Sequence, residues 1–226
     1  MQEKKERAER RIEVSTGLLL ILVAASYVTS LLLDFNFVSP YATLQEDLSY
    51  LSDNAGSQKI SSIAWLVTAV ITALSIPFYF VLFRRRLKVL AYLNVLFMMG
   101  ASAGFLMMAL VGLELHGEVS GLMTESIDQT SEQVHLLLLD QFSREQFYRL
   151  IGSSCVGIWA LGLSLSRFRV PRFPMFATLL LLISGPALVF FNWYDADHIG
   201  HTAAMAGIIV GVTIFCVRLI NKGINS

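Results

Sequence analysis

Long apolar runs alternate with shorter polar stretches along this chain, and that alternation is its dominant signal. Six runs reach or approach ~20 residues, the length at which an α-helix crosses the hydrocarbon core of a bilayer. They fall at about 14–33, 60–83, 89–113, 150–166, 173–194 and 199–220. A charged tail, 1–13, precedes the first run, and a short tail, 221–226, follows the last. In the leading tail Glu3–Arg7 and Glu6–Arg10 are spaced i,i+4, as on a solvated helix that extends the first span. A cleaved signal peptide is the rival reading. The apolar core is too long for one, and no clear small-x-small site follows it.

The polar stretches carry the punctuation. Residues 34–59 read as a loop with Pro40, Asp53-Asn54 and Gly56, and with Phe35, Phe37, Tyr41 and Tyr50 at headgroup level. Arg84-Arg85-Arg86-Leu87-Lys88 stops the second span, which Pro77 is expected to kink near its end. The third span contains Gly100-x-x-x-Gly104, a spacing that lets a neighbouring helix approach closely. Residues 114–149 are the longest polar segment. Their apolar run 134–139 is too short to span, so it predicts an interfacial or docked helix before the fourth span. Arg167, Arg169 and Arg172 follow that span, with Pro171 and Pro174 around them. Gly185-Pro186 predicts a bend in the fifth, and Gly200, Ala203, Ala204, Gly207 and Gly211 a small-residue packing face on the sixth. The predicted fold is an all-α, six-helix transmembrane bundle.

Composition agrees. Of 226 residues, 55% are hydrophobic and 15% charged, with a mean hydropathy of +0.62; soluble domains carry about a quarter charged residues. Net charge is zero, so no global field points to nucleic acid. Cys155 and Cys216 both lie in apolar runs, which argues against a disulfide framework. Charge distribution sets the expected sidedness. Six crossings gather fourteen lysines and arginines on the side of the termini and leave Lys59, Arg144 and Arg149 on the other. The positive-inside rule then predicts a cell-membrane protein with both termini cytoplasmic. Thirteen of the seventeen acids and all four histidines fall on the outer face.

That face holds the candidate chemistry. Between spans five and six, Asp195, Asp197, His198 and His201 crowd into seven residues. On a helix, His198 and His201 are i,i+3 and Asp197 and His201 are i,i+4, so the three share a side. A helix N-terminus disfavours imidazolium and keeps such rings able to ligate. Glu114, His116 and Glu118 end the third span on the same side. Mixed histidine and carboxylate ligands suit a divalent transition metal: zinc, iron or copper. The plainer reading is that Asp195 or Asp197 caps the sixth helix and the histidines meet water and headgroups.

Three further readings compete. The central parts of the spans carry no Asp, Glu, Lys or Arg, which weakens an ion-coupled small-solute transporter, although Pro77 and Gly185-Pro186 are the kind of break transporters use. A non-catalytic binding or assembly protein needs no special geometry. Asp128, Glu132 and His135 would share a helical face beside Val134, Leu138, Phe142 and Phe147, an acidic and apolar surface for a membrane or extracytoplasmic protein partner. The third reading is a hydrolase. Gly152-Ser153-Ser154 at the outward end of span four and His201 at that of span six are similar to the arrangement in rhomboid intramembrane proteases. That resemblance implies Ser154 as nucleophile and His201 as base. This chain departs from the rhomboid pattern in three ways. Span two has no His-x-x-x-Asn, Cys155 stands where a glycine is expected, and the polar insertion precedes span four.

The order of segments resembles a family of small polytopic bacterial and archaeal membrane proteins described as a domain of unknown function. The resemblance rests on the uninterrupted first span, the polar loop feeding Ile60–Phe83 and its basic stop, and the Ser166-Arg167-Phe168-Arg169-Val170-Pro171-Arg172 elbow. It covers most of residues 14–190 and implies a membrane-embedded helical bundle. The Asp195–His201 cluster is not part of it.

Overall fold

The structure is a computed structural model that describes residues 2–34, 44–84, 87–122, 131–166, 174–194 and 199–225. Within these, the side chains of 2–6, 34, 44–53, 55, 115, 116, 118–122, 131–138, 142, 222, 223 and 225 lie outside the description. The elements are α1 (Gln2–Asp34), α2 (Leu44–Arg84), α3 (Lys88–Leu122), α4 (Ser131–Leu165), α5 (Met175–Tyr194) and α6 (Ile199–Asn225). All six are long and apolar enough to cross a membrane. No strand occurs among the described residues.

Helix extends well beyond the apolar runs. Residues 44–59, read from sequence as loop, belong to α2. Leu44, Leu48 and Leu51 keep a helical spacing through that stretch, and a single Gly56 costs only about 1 kcal/mol in a helix. The helix predicted between 134 and 139 is present, but it is the start of α4 and runs unbroken into the fourth span. No glycine or proline lies between Ser131 and Ile151 to interrupt it. Pro77 and Pro186 sit inside continuous α2 and α5.

Each helix packs on its neighbours in sequence, and α1 closes back onto α6, so the six form a ring. We call the end with both termini the base, and the end where α2, α3 and α4 overrun their spans the crown. Lipid tails are as apolar as leucine, so burial alone gives these helices little reason to associate. Close contact and interhelical hydrogen bonds must supply it. Small residues mark the seams. A Cβ on Gly104 of α3 would lie 2.8 Å from the Gly152 nitrogen of α4, and one on Gly157 of α4 would lie 2.7 Å from the Gly185 carbonyl of α5. Gly207 meets Ser184 and Gly211 meets Leu181 across the α5–α6 seam, while Gly17 meets Ile220 where the ring closes. Ala203, also in that small-residue run, is exposed, so the buried stripe is Ala204, Ile208 and Gly211. The α1–α2 seam uses a hydroxyl pair instead, Ser30 with Thr68 at 3.0 Å. Ser102 of α3 donates to the Ala69 carbonyl of α2 at 2.9 Å.

Two aromatic groups fill the ring. Towards the crown, Tyr27, Trp65 and Phe105 pack with centroids 4.9–5.6 Å apart. Towards the base, Tyr79 stacks on Phe83 at 4.4 Å and meets Trp159 edge-on. There Asn94 of α3 donates to the Tyr79 hydroxyl at 2.7 Å, its amide seated against Gly162 of α4.

These contacts separate two kinds of glycine. Gly157→Ala places a methyl against backbone and should cost about 1–3 kcal/mol. Gly56→Ala has nothing within 4 Å and should gain up to about 1 kcal/mol from helix propensity. Equilibrium unfolding of both variants in one detergent would show opposite shifts; equal shifts would contradict the packing described.

Candidate functional site

The crown joins α4 to α5 through a three-residue clamp. The Gly157–Gly185 contact brings the two backbones together, and about two turns towards the crown α5 presents Asn192 and Trp193. The Asn192 amide nitrogen donates to the Leu150 carbonyl at 2.8 Å and to Ser154 Oγ at 3.0 Å. Trp193 Nε1 donates to the same Oγ at 2.9 Å. Ser154 is buried, and both acceptor lone pairs of its hydroxyl are occupied from α5. A nucleophilic serine needs a base that takes its proton. The two groups holding Ser154 are N–H donors, and neither can.

His201 lies half-buried in the first turn of α6, whose ring neighbours are α5 and α1. The hydrogen bonds to Ser154 come from α5, not from α6. Glu114 is exposed on α3, which packs between α2 and α4, so it and His201 stand on elements that do not share a seam. Asp197 and His198 lie outside the described residues, as does the side chain of His116. Among the described residues no three His, Cys, Asp or Glu side chains group closely enough to hold a metal ion.

Further along the crown, α4 carries two i,i+4 ion pairs. Asp140–Arg144, at 2.6 Å, is exposed and contributes little. Glu145–Arg149, at 3.6 Å, is different, because Glu145 is buried and Gln141 one turn earlier is buried with it. A buried carboxylate persists only when paired and hydrogen-bonded. This part of α4 is therefore packed into the protein and not a helix end loose in water. Of the Asp128, Glu132, His135 face proposed from sequence, all three side chains lie outside the described residues; Phe147 is exposed.

Inside the ring is a cavity of about 50 Å³, lined by Tyr27, Thr68, Met98, Phe105, Trp159, Ile209 and their neighbours. It contains no charged group, and its hydroxyls are already engaged: Thr68 with Ser30, Thr72 with the Thr68 carbonyl.

The chain matches the family described as domain of unknown function (DUF4386) over residues 15–223. It belongs to the DUF4386 family. The match runs past the elbow into α5 and through α6, so the Asp195–His201 cluster falls within the family region. No curated protein and no solved structure matches the chain. A DUF4386 member with six apolar helices of this length is a multi-pass membrane protein.

Asn192 and Trp193, in the last turn of the fifth apolar run, are not among the candidate residues read from the sequence. An amide at the end of an apolar run was the available signal, since a carboxamide buried there needs partners. Ser154→Ala leaves two α5 donors without their acceptor and should cost about 1–2 kcal/mol. Asn192→Leu should cost a similar amount. The double variant should lose less than the sum, by at least about 0.5 kcal/mol. Strict additivity in an unfolding cycle would show that the clamp is not a unit.

Proposed function

We propose that this protein binds or assembles with a membrane or extracytoplasmic partner through its crown, with both termini cytoplasmic and the crown outside the cell membrane. One observation supports this above the others: three consecutive helices overrun the bilayer at the same end. At 1.5 Å per residue, the 41 residues of α2 extend about 61 Å, and the 35 each of α3 and α4 about 52 Å. The hydrocarbon core takes about 30 Å. Their surplus lies outside the apolar runs, at 44–59 in α2, after Leu113 in α3 and before Leu150 in α4. Buried Gln141 and Glu145 seat the adjoining part of α4, so the surplus helix has a fixed foot.

Charge supports the chemistry of the partner. With six crossings, the crown side carries thirteen acids and three bases, and the base side fourteen bases and four acids. The second imbalance favours termini in the cytoplasm. The first favours a partner with a basic face, steered by complementary potential. A metal held by His198 and His201 with Asp197, Glu114 or His116, and a hydrolase using Ser154 and His201, are the competing occupants of the same end.

Sidedness comes first in the test. In intact cells a membrane-impermeant thiol reagent should label Ser57→Cys and spare Asn221→Cys until the cells are opened, in a background lacking Cys155 and Cys216. The reverse pattern would invert the topology. Photo-crosslinkers at Ser57 and Ser143, both exposed, should then capture one protein species. Asp53→Lys with Asp140→Lys should abolish the adduct, while crosslinkers at lipid-facing Val210 should never form it. Adducts indifferent to the charge reversal would sink the partner reading. Stoichiometric zinc, iron or copper lost on His198→Ala and His201→Ala would replace it with a metal site. Labelling of Ser154 by a serine-reactive probe would replace it with a hydrolase.

A further inference from the structure

We propose that the cavity inside the ring receives the end of a lipid hydrocarbon chain. Its depth is the first argument. The lining residues sit near the middle of each contributing apolar run: Leu20 to Tyr27 within 14–33, Thr68 and Thr72 within 60–83, Met98 to Phe105 within 89–113, Val156 and Trp159 within 150–166, and Ile208 to Val212 within 199–220. That is the bilayer midplane, where acyl chains terminate.

The chemistry of the wall is the second argument. It is apolar, and its threonine hydroxyls are satisfied within the protein. An apolar cavity does not hold water but takes an apolar guest. Size narrows the guest. About 50 Å³ exceeds the ~10–15 Å³ a water needs, yet is well below the ~150 Å³ of a cavity that binds benzene. A slender chain fits where a ring does not.

The third argument is access. On the α1–α6 seam the helices are joined at two heights: Gly17 against Ile220 near the base, and the Tyr27 hydroxyl on Met205 Sδ, at 3.4 Å, near the crown. Between them Val23, Ala24 and Ile209 are only half-buried and all three line the cavity. The cavity is not sealed, and we place its mouth at this stretch, where the lining residues of two adjacent helices are half-buried between the two joints. At midplane depth the bilayer supplies one abundant apolar species, the ends of its own chains.

The test uses the full chain in phosphatidylcholine vesicles, with Trp65→Phe and Trp193→Phe leaving Trp159 as the sole tryptophan. Bromines near the chain end should quench Trp159 severalfold more than bromines near the ester. Ala24→Phe, which plugs the mouth, should remove most of that quenching, and Ile209→Ala, which widens the cavity, should increase it. Chain-end quenching unchanged by both variants would mean that bromines act from outside the ring, and its absence would mean an empty lumen; either overturns the proposal. The unsubstituted protein gives an independent reading with a phospholipid carrying a chain-end diazirine. Adducts at Met98 or Ile209 support the lumen site. Adducts confined to outward-facing Leu106 and Val210 overturn it.

Discussion

Everything in this bundle depends on backbones coming within van der Waals reach of one another in a solvent that does not drive them together. Water expels leucine, but lipid does not. What remains is dispersion, which is small per contact and falls steeply with a gap of half an ångström. Glycine against glycine at the α3–α4 and α4–α5 seams sets that distance. The hydroxyl and amide bonds at Ser30–Thr68, Asn94–Tyr79 and Asn192–Ser154 then fix how far each helix slides along its neighbour.

The polar contacts divide by depth in a way that suits the medium. The amide-bearing ones sit near the two ends, Asn94 with Tyr79 at the base and the Ser154 clamp at the crown. The middle is left to aromatics, threonines bonded to their own or a neighbouring helix, and a void. Both ends are thus pinned, while the bonds described at mid-depth lie within one helix or join adjacent helices. The crown continues outward as helix, with Glu145 buried at its foot.

The number of helices was legible because a run of apolar residues long enough to cross a bilayer has few other uses. Their extent was not. Residues 44–59 were read as loop, and the helix at 134–139 as separate from the fourth span, yet both stretches belong to the spanning helices, since nothing in their backbone chemistry interrupts them. Gly100 and Gly104 were read as an approach site, and α4 is the helix that approaches, at Cys155 and Gly152. Gly157 and Gly185, equally close, carried no spacing motif, because their contact joins two helices and no single-chain period records it. Ser154 shows the same limit in chemistry. The sequence offers Ser154 only as a hydroxyl in a Gly-x-Ser run, and only the arrival of Asn192 and Trp193 from another helix shows that it accepts two hydrogen bonds.

The ring closes between its first and last helices, Gly17 on α1 meeting Ile220 on α6. Chains are made N-terminus first. The first helix to enter the membrane therefore waits for the final one to be synthesised, and every earlier stage of assembly is an open arc with its concave side in lipid. The cavity wall is therefore complete only when α6 has docked, since Ile208, Ile209 and Val212 belong to that helix.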